Sequence, residues 1–453
     1  MNDKNQRLRV LSEEKVSVAL LKLGLPAIIG MLVTALYNVV DAYFISWLGP
    51  SQMAAVSIVF PAVQVAIGVG LTFGTGAASC ISRYLGDRDV LAASRVASCA
   101  LFAGVVASVF IAVFVSLFQH EILGYLGASE TIMPYADEYF WITMCFSVMP
   151  ICSITMNNIL ISEGSAKASM VVMLFGGVLN MVLDPVLIFW FDMGIRGAAI
   201  ATVFSQALML AVYVGYSSGS RTTVRIALRH VVFERAYYTN VLRLGLPMFA
   251  FQLLSGLAMG MTNTAIGRYG DAAVASIGVA LRILALVSFV VFGFVKGFQP
   301  IVGYSYGAAD YGRLKEAISA ALKWVTGYCL LVTAALSFFG RSLMGLFSHG
   351  DPTIVQIGSK VLAFNGIVFL LFGFFMIYST LFLALGKARE GMMLNLSRQG
   401  IFFIPAILVM PGIWGLNGVI YAQPVAEVLA FGLAVSLFIP LKRGLAAEKA
   451  LSD

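Results

Sequence analysis

Charged residues are scarce in this sequence. Only 11% of its 453 residues are charged and 60% are hydrophobic, whereas a soluble globular domain has about 25% charged residues. Long stretches carry no charge at all, so water cannot be the solvent for most of the surface. The composition therefore excludes a soluble protein and predicts one that lies largely within a lipid bilayer.

Residues typical of catalytic and disulfide chemistry are also few. The five cysteines are odd in number, lie in apolar segments and form no Cys-x-x-Cys pair, and the three histidines lie in separate loops without metal-ligand spacing. The glycine-rich stretch 68–76 fits close helix packing better than phosphate binding. We therefore expect no enzyme and no cofactor. The polar first fifteen residues and the long apolar run after them predict no cleaved signal peptide.

Twelve apolar runs are long enough to cross a bilayer as helices, which takes about 20 residues. The predicted limits in the first half are 16–48, 53–82, 91–118, 136–160, 168–190 and 195–216. Those in the second half are 239–267, 272–303, 313–338, 356–384, 391–410 and 415–440. The predicted fold is an all-α polytopic membrane protein.

The basic residues favour one orientation of these spans. With the amino terminus in the cytoplasm, that side holds 23 of the 29 lysines and arginines, as the positive-inside rule requires. The other side holds four, Arg196, Arg268, Arg341 and Lys360. We expect a multi-pass protein of the cytoplasmic membrane with both termini inside. The formal charge of +7 then reflects membrane topology and predicts no nucleic-acid partner.

An internal repeat divides the chain. LKLGLP at 21–26 returns as LRLGLP at 242–247, and the shift of 221 positions holds without a gap for more than sixty residues. Because each copy has an even number of spans, the copies are parallel repeats. The prediction is an N-lobe at 1–216, a cytoplasmic linker at 217–238 and a C-lobe at 239–453, an architecture typical of carriers.

Two aspartates interrupt apolar runs of the N-lobe. Asp41 lies about 28 Å above Lys22 and Asp184 about 25 Å above Lys167, measured along their helices. Both carboxylates would therefore lie at similar depth, where charge is costly and marks function. Neighbouring polar residues are expected at the same level or on the same helical face, namely Asn180, Thr202, Asn38 and Tyr37.

This acidic cluster suits a monovalent cation or a proton. Pro185 lacks an amide hydrogen and frees the carbonyl of Met181, which could bind Na⁺ together with oxygens of Asp41, Asp184, Asn180 and Thr202. A low-dielectric lumen equally favours a carboxyl group that carries a proton. The residues alone do not choose between H⁺ and Na⁺, and interhelical hydrogen bonding is the alternative role for the asparagines and Thr202.

The C-lobe carries the opposite charge. Asp41 corresponds to Thr262 in the repeat, no acid lies in the middle of span seven or ten, and the two intramembrane cations are Arg282 and Lys296. We therefore expect the acidic site to be confined to the N-lobe. Arg282 is expected to pair with backbone carbonyls, whereas for Lys296 a structural and a functional role remain open.

Several motifs resemble one transporter family. LKLGLPAIIGMLVTALYNVVDAYFISWLG, ISEGSAKASMVVMLFGGVLNMVLDPVLIF and GIRGAAIATVFSQ resemble the MATE (multidrug and toxic compound extrusion) family, specifically its DinF-like branch, over nearly the whole chain. The most specific parts are Tyr37-Asn38 with Asp41 and Asn180 with Leu183-Asp184-Pro185.

The resemblance implies a monomeric exporter of amphipathic or cationic compounds that exchanges them for H⁺ or Na⁺. It also adds Tyr139 and Asn157 to the cation site, although the depth of Asn157 lies nearer the cytoplasmic end of span four, and it implies a first helix that bends near Pro26 or repacks. A flippase for lipid-linked precursors, from the same superfamily, is the alternative function. A major facilitator also has twelve spans, but the 221-residue register and the Leu-Asp-Pro motif argue against one.

Overall fold

The structure, a computed structural model, describes residues 3–219, 222–347 and 351–452. These residues form α-helices joined by short loops, and no strand occurs among them. In the first half the helices are α1 Asp3–Ser12, α2 Val16–Ser46, α3 Pro50–Gly86, α4 Val90–Tyr125, α5 Met133–Cys145, α6 Val148–Ser162, α7 Ala166–Pro185 and α8 Gly194–Ser218. In the second half they are α9 Arg235–Gly267, α10 Asp271–Gly307, α11 Tyr311–Phe347, α12 Pro352–Ala384, α13 Ala388–Leu396, α14 Phe403–Trp414 and α15 Leu416–Ser452.

The helices confirm the predicted number of spans. Eleven segments are long and apolar enough to cross a membrane, and α5 and α6, bent by 46° at their junction, form a twelfth. The bend lies within the span predicted at 136–160, just before Pro150. Most helices extend past their predicted limits, as α3 does at both ends, because a helix continues into polar residues that end an apolar run.

The first span of each lobe packs against the second span of the other lobe. α2 lies against α10 and α3 against α9, and glycines allow these pairs to approach closely at the end of the bundle that carries both chain termini, here called the terminal end. The later glycines of α9, Gly256, Gly260 and Gly267, have no atom within 4 Å of a β-carbon position. The lobes are thus joined chiefly at the terminal end.

Two further segments tie the terminal end together. Arg7 of α1 donates a hydrogen bond to Ser165 in the N-lobe (3.0 Å), and Arg313 of α11 donates to the carbonyl oxygens of Leu11 (2.8 Å) and Glu14 (2.6 Å). α1 therefore contacts both lobes. α8 extends to Ser218 and α9 begins at Arg235, so the segment between these helices covers 219–234, within the predicted linker at 217–238.

Part of the linker follows the side of α4. The amide of Arg225 donates to Ser94 (3.1 Å) and that of Ala227 to Ser98 (3.2 Å). Residues 220 and 221, including the predicted cytoplasmic Arg221, lie outside the described residues. The exact limits of the lobes and the cytoplasmic position of the linker stay predictions.

Candidate ion site in the N-lobe and a second polar cavity

Close packing of α2 against α7 brings Asp41 and Asp184 to one level. A β-carbon at Gly177 would lie 2.7 Å from a methyl group of Val33, so a larger residue there would require the Val33 side chain to move. Both helices run away from the terminal end, and the two aspartates follow these contact residues by about two helical turns. The predicted match in depth is therefore reproduced by the packing.

Asn180 connects α7 with α8 at this level. Its amide nitrogen lies 3.3 Å from Asp184 Oδ1 and 3.4 Å from the Thr202 hydroxyl. Asp184 is fully buried and Asn180 is 3% exposed, so these groups are shielded from water. The structure thus places Asp184, Asn180 and Thr202 in one network.

The acceptor oxygens of this network outnumber its donors. Asp41 Oδ1, Asp184 Oδ2 and Asn180 Oδ1 are buried and have no hydrogen-bond partner among the described residues. A buried oxygen without a donor costs free energy, and carboxylate and amide oxygens suit either a proton or a hard cation. The site therefore offers three buried oxygens that are free to accept.

Two tyrosines adjoin the acids, whereas Asn38 turns away. Tyr139 on α5 is 7% exposed and lies within electrostatic reach of both aspartates, and Tyr37 lies within reach of Asp41. Asn38 is exposed and donates to the carbonyl of Thr34 in its own helix (2.7 Å). The predicted shared face of Asn38 and Asp41 therefore does not bring the amide into the site.

The two prolines named in the sequence analysis differ in position: Pro185 lies at the end of its helix and Pro26 lies inside one. α7 ends at Pro185 and passes into a π-helical turn, Val186–Trp190, which fits the loss of an amide donor at this position. Pro26 lies half-buried within α2, which continues unbroken from Val16 to Ser46. α2 is therefore not broken at Pro26 in this conformation.

Asn157 belongs to a separate network nearer the terminal end. Its amide nitrogen donates to the hydroxyl groups of Ser169 and, at 3.0 Å, Tyr213, and its oxygen lies 3.5 Å from the ammonium of Lys296 on α10. Ser169 precedes Asp184 by 15 residues, about 22 Å along α7. The structure thus does not bring Asn157 to the acids, and it links Lys296 to the N-lobe.

Arg282 stands apart from both networks. It is exposed on α10, and no hydrogen bond or ion pair of its side chain occurs among the described residues. The pairing with backbone carbonyls that we expected for Arg282 is therefore absent from this conformation.

A second polar cavity lies within the C-lobe and was missed by the sequence analysis. Arg398, counted there as cytoplasmic, lies in a π-helical turn (Ser397–Phe402) inside span eleven, and two of its nitrogens lie 2.6 and 2.5 Å from Glu427 Oε1. Glu427 is 3% exposed. Glu427 is therefore a buried acid of the C-lobe that the sequence analysis did not name, but it is paired with Arg398, and the confinement of the acidic ion site to the N-lobe stays a prediction.

This cavity has a volume of about 230 Å³ and a mixed lining. The Arg398 guanidinium lies 4.6 Å from the ring centre of Phe372, and Gln423 donates to Glu427 Oε1 (3.0 Å). Glu427 Oε2 and Gln399 Oε1 are buried without a partner. The sequence does contain a feature that could have predicted this cavity: span eleven has a basic residue and span twelve an acidic one, each within an apolar run.

Twelve spans in two lobes, with a buried acidic cluster in one of them, define a polytopic membrane transporter. The family model MatE matches residues 26–186 and again 247–408, so the two matches begin 221 residues apart, as the predicted repeat requires. The chain belongs to the MATE family, and it is a transporter rather than an enzyme. The DinF-like branch stays a prediction.

Individual relatives agree with this assignment along the whole chain. The multidrug export protein MepA of Staphylococcus aureus is 27% identical over 441 residues, which is 97% of each chain. A multidrug resistance MATE transporter solved in an outward-facing conformation has a TM-score of 0.90 at 28% identity and 98% coverage of each chain. A MATE structure in the "straight conformation" has a TM-score of 0.90 at 27% identity, covering 98% of this chain and 99% of that one.

Proposed function

We propose that this protein exports amphipathic, cationic compounds in exchange for inward movement of H⁺ or Na⁺ by alternating access. The observation that carries the proposal is the set of buried oxygens without donors at Asp41, Asp184 and Asn180. No Lys or Arg side chain pairs with either aspartate among the described residues, whereas Glu427 in the C-lobe is paired with Arg398. Relatives described as multidrug exporters support the class of substrate.

The ion and the substrate would use the N-lobe in turn. Arrival of a proton or Na⁺ at the acid pair removes the negative charge that attracts a cationic substrate, so the substrate leaves. α2 carries Asp41, and its Pro26 lies two residues after Gly24, which contacts α10 of the other lobe. A bend or repacking of α2 near Pro26 would therefore act directly on the contact between the lobes.

The coupling is tested by transport in proteoliposomes. We expect an imposed H⁺ or Na⁺ gradient to drive ethidium movement by the intact chain, and Asp41→Asn and Asp184→Asn to reduce it to near background. Glu130→Gln is the matched control, because Glu130 is exposed in a loop at the other end of the bundle. Full gradient-driven transport by both amide variants would overturn the proposal.

The same vesicles separate export from lipid flipping. A fluorescent lipid-linked precursor is added to one leaflet and its arrival in the other is measured. We expect no protein-dependent translocation under conditions that support ethidium transport. Lipid translocation without ethidium transport would instead identify the flippase alternative.

A further inference from the structure

An apolar groove of about 580 Å³ runs along the side of the bundle between α4 and α9. Phe102, Val106 and Phe110 of α4 line one wall, and Phe233 and Tyr238 line the other at the beginning of α9. Phe233 is 84% exposed and Phe110 71%, so the groove opens away from the protein. It joins a helix of the N-lobe to the first helix of the C-lobe.

The length of the groove matches one leaflet of a bilayer. Its α4 wall extends over the ten residues from Phe102 to Ile111, which rise about 14 Å along the helix, and half of the hydrocarbon core of a bilayer is about 15 Å thick. The hydrogen bonds of the linker to α4 hold the wall that contains Phe233 in place. The rings of Phe102 and Phe233 meet edge to face, 6.0 Å apart. The groove is therefore preformed.

Two basic residues of the described chain follow and precede the groove residues near its terminal end. Arg229 lies four residues before Phe233 in the chain and Arg235 one helical turn before Tyr238, and both are exposed. Neither side chain has a hydrogen-bond or ion-pair partner among the described residues. The neighbouring Glu234 is within electrostatic reach of Arg95. The Tyr238 ring lines the groove, and its hydroxyl is buried in the protein beside Cys99.

We propose that this groove binds an anionic phospholipid from the leaflet at the terminal end of the bundle. One acyl chain lies along α4, and the phosphate binds Arg229 and Arg235. Two unpaired arginines favour an anion and would repel a cationic export substrate. The ligand is thus a lipid and not a compound on its way to the transport site.

Native mass spectrometry of the delipidated full chain tests this, with phosphatidylglycerol and phosphatidylcholine of equal chain length as probes. We expect tighter retention of one phosphatidylglycerol by roughly tenfold or more. The double variant Arg229→Gln/Arg235→Gln should lose the preference, and Ala103→Trp, which fills the groove, should lose the bound lipid. Arg341→Gln and Phe338→Ala change equally exposed residues outside the groove. These two variants should keep both the bound lipid and the preference for phosphatidylglycerol.

Two outcomes would overturn the inference. Equal retention of both lipids would mean annular lipid only, and unchanged retention by Ala103→Trp would place the lipid elsewhere. If Ala103→Trp fails to fold, Phe233→Ser replaces it in the test, because this variant changes an exposed side chain in the wall of the groove. The experiment measures no transport, so its result is independent of the proposed antiport.

Discussion

Gly24 of α2 lies against Gly297 of α10, so closely that a β-carbon on Gly297 would stand 2.5 Å from the Gly24 α-carbon. The repeat shifts this pair by 221 positions in opposite directions, to Gly245 and Gly76, and these residues also meet: a β-carbon on Gly76 would stand 3.2 Å from the Gly245 nitrogen. The junction between the lobes is therefore built twice by the same sequence motif. Each half contributes one glycine to each contact.

Adding one methyl group to this junction should separate the lobes. A β-carbon at Gly245 would lie 1.9 Å from the carbonyl oxygen of Thr72, and overpacking of this kind costs about 1 to 3 kcal/mol. We expect Gly245→Ala to lower the melting temperature of the detergent-solubilised protein. Gly260→Ala is the control, because open space surrounds that position and alanine there favours the helix. Equal melting temperatures would contradict the double glycine contact.

The sequence predicted the parts of the structure that depend on periodicity and composition. Span number, the repeat and the common depth of Asp41 and Asp184 follow from run lengths and a fixed rise per residue. Side-chain direction does not follow: Asn38 shares a predicted face with Asp41 yet bonds to its own helix. Asn157 came only from the family resemblance, and its own depth already indicated a separate location.

The C-lobe site escaped prediction because the repeat is broken in that place. Arg398 occupies the position 221 residues after Gly177, and Thr262 the position equivalent to Asp41. In the N-lobe the glycine lets two helices touch, whereas in the C-lobe the arginine side chain borders a cavity that Thr262 also lines. Comparison of the two halves shows that an arginine replaces a glycine at this position. It does not show that Glu427, in the last span, neutralises the charge of that arginine.

Breaking that buried pair should cost more stability than removing it entirely. Glu427→Leu leaves the Arg398 guanidinium buried and unpaired, which costs about 3 to 5 kcal/mol. The double variant Arg398→Met/Glu427→Leu should recover most of that loss, because a buried ion pair adds little over apolar residues of similar size. Thermal unfolding in detergent measures both. Additive losses would show that the two side chains do not depend on each other.

Glu163 should control how firmly the linker is attached. It is 1% exposed and its Oε2 accepts from the amides of Thr223 (2.9 Å) and Val224 (3.0 Å). Glu163→Ala leaves both amides without an acceptor, at about 1 to 3 kcal/mol each. We expect trypsin to cleave after Arg225 several times faster. Glu13→Ala removes an exposed carboxylate and should not change the rate; if it changes the rate equally, the effect is not local to the linker.

Asn180 should determine the affinity of the N-lobe for its coupling ion. Its amide is the only hydrogen-bond donor to either aspartate of the pair among the described residues, at 3.3 Å from Asp184, and its own oxygen is free to accept. A hydrogen bond to a charged group contributes about 1.5 to 3 kcal/mol. If the ion is Na⁺, Asn180→Ala also loses the free amide oxygen as a ligand and should raise the Na⁺ concentration for half-maximal ethidium export by roughly tenfold or more. If the ion is H⁺, the change should be in the opposite direction, because the amide stabilises the charged form of Asp184.

The matched control for this variant is Asn395→Ala. Asn395 is equally buried, at 2% exposure, and donates to the Ser379 hydroxyl in the C-lobe (2.8 Å), far from the acid pair in the chain. Removing it should alter stability without altering the ion dependence of export. Thr202→Ala should fall between the two, because its hydroxyl lies 3.4 Å from Asn180. An unchanged ion dependence in Asn180→Ala would exclude this amide from the ion site and leave the two carboxylates to bind the ion without it.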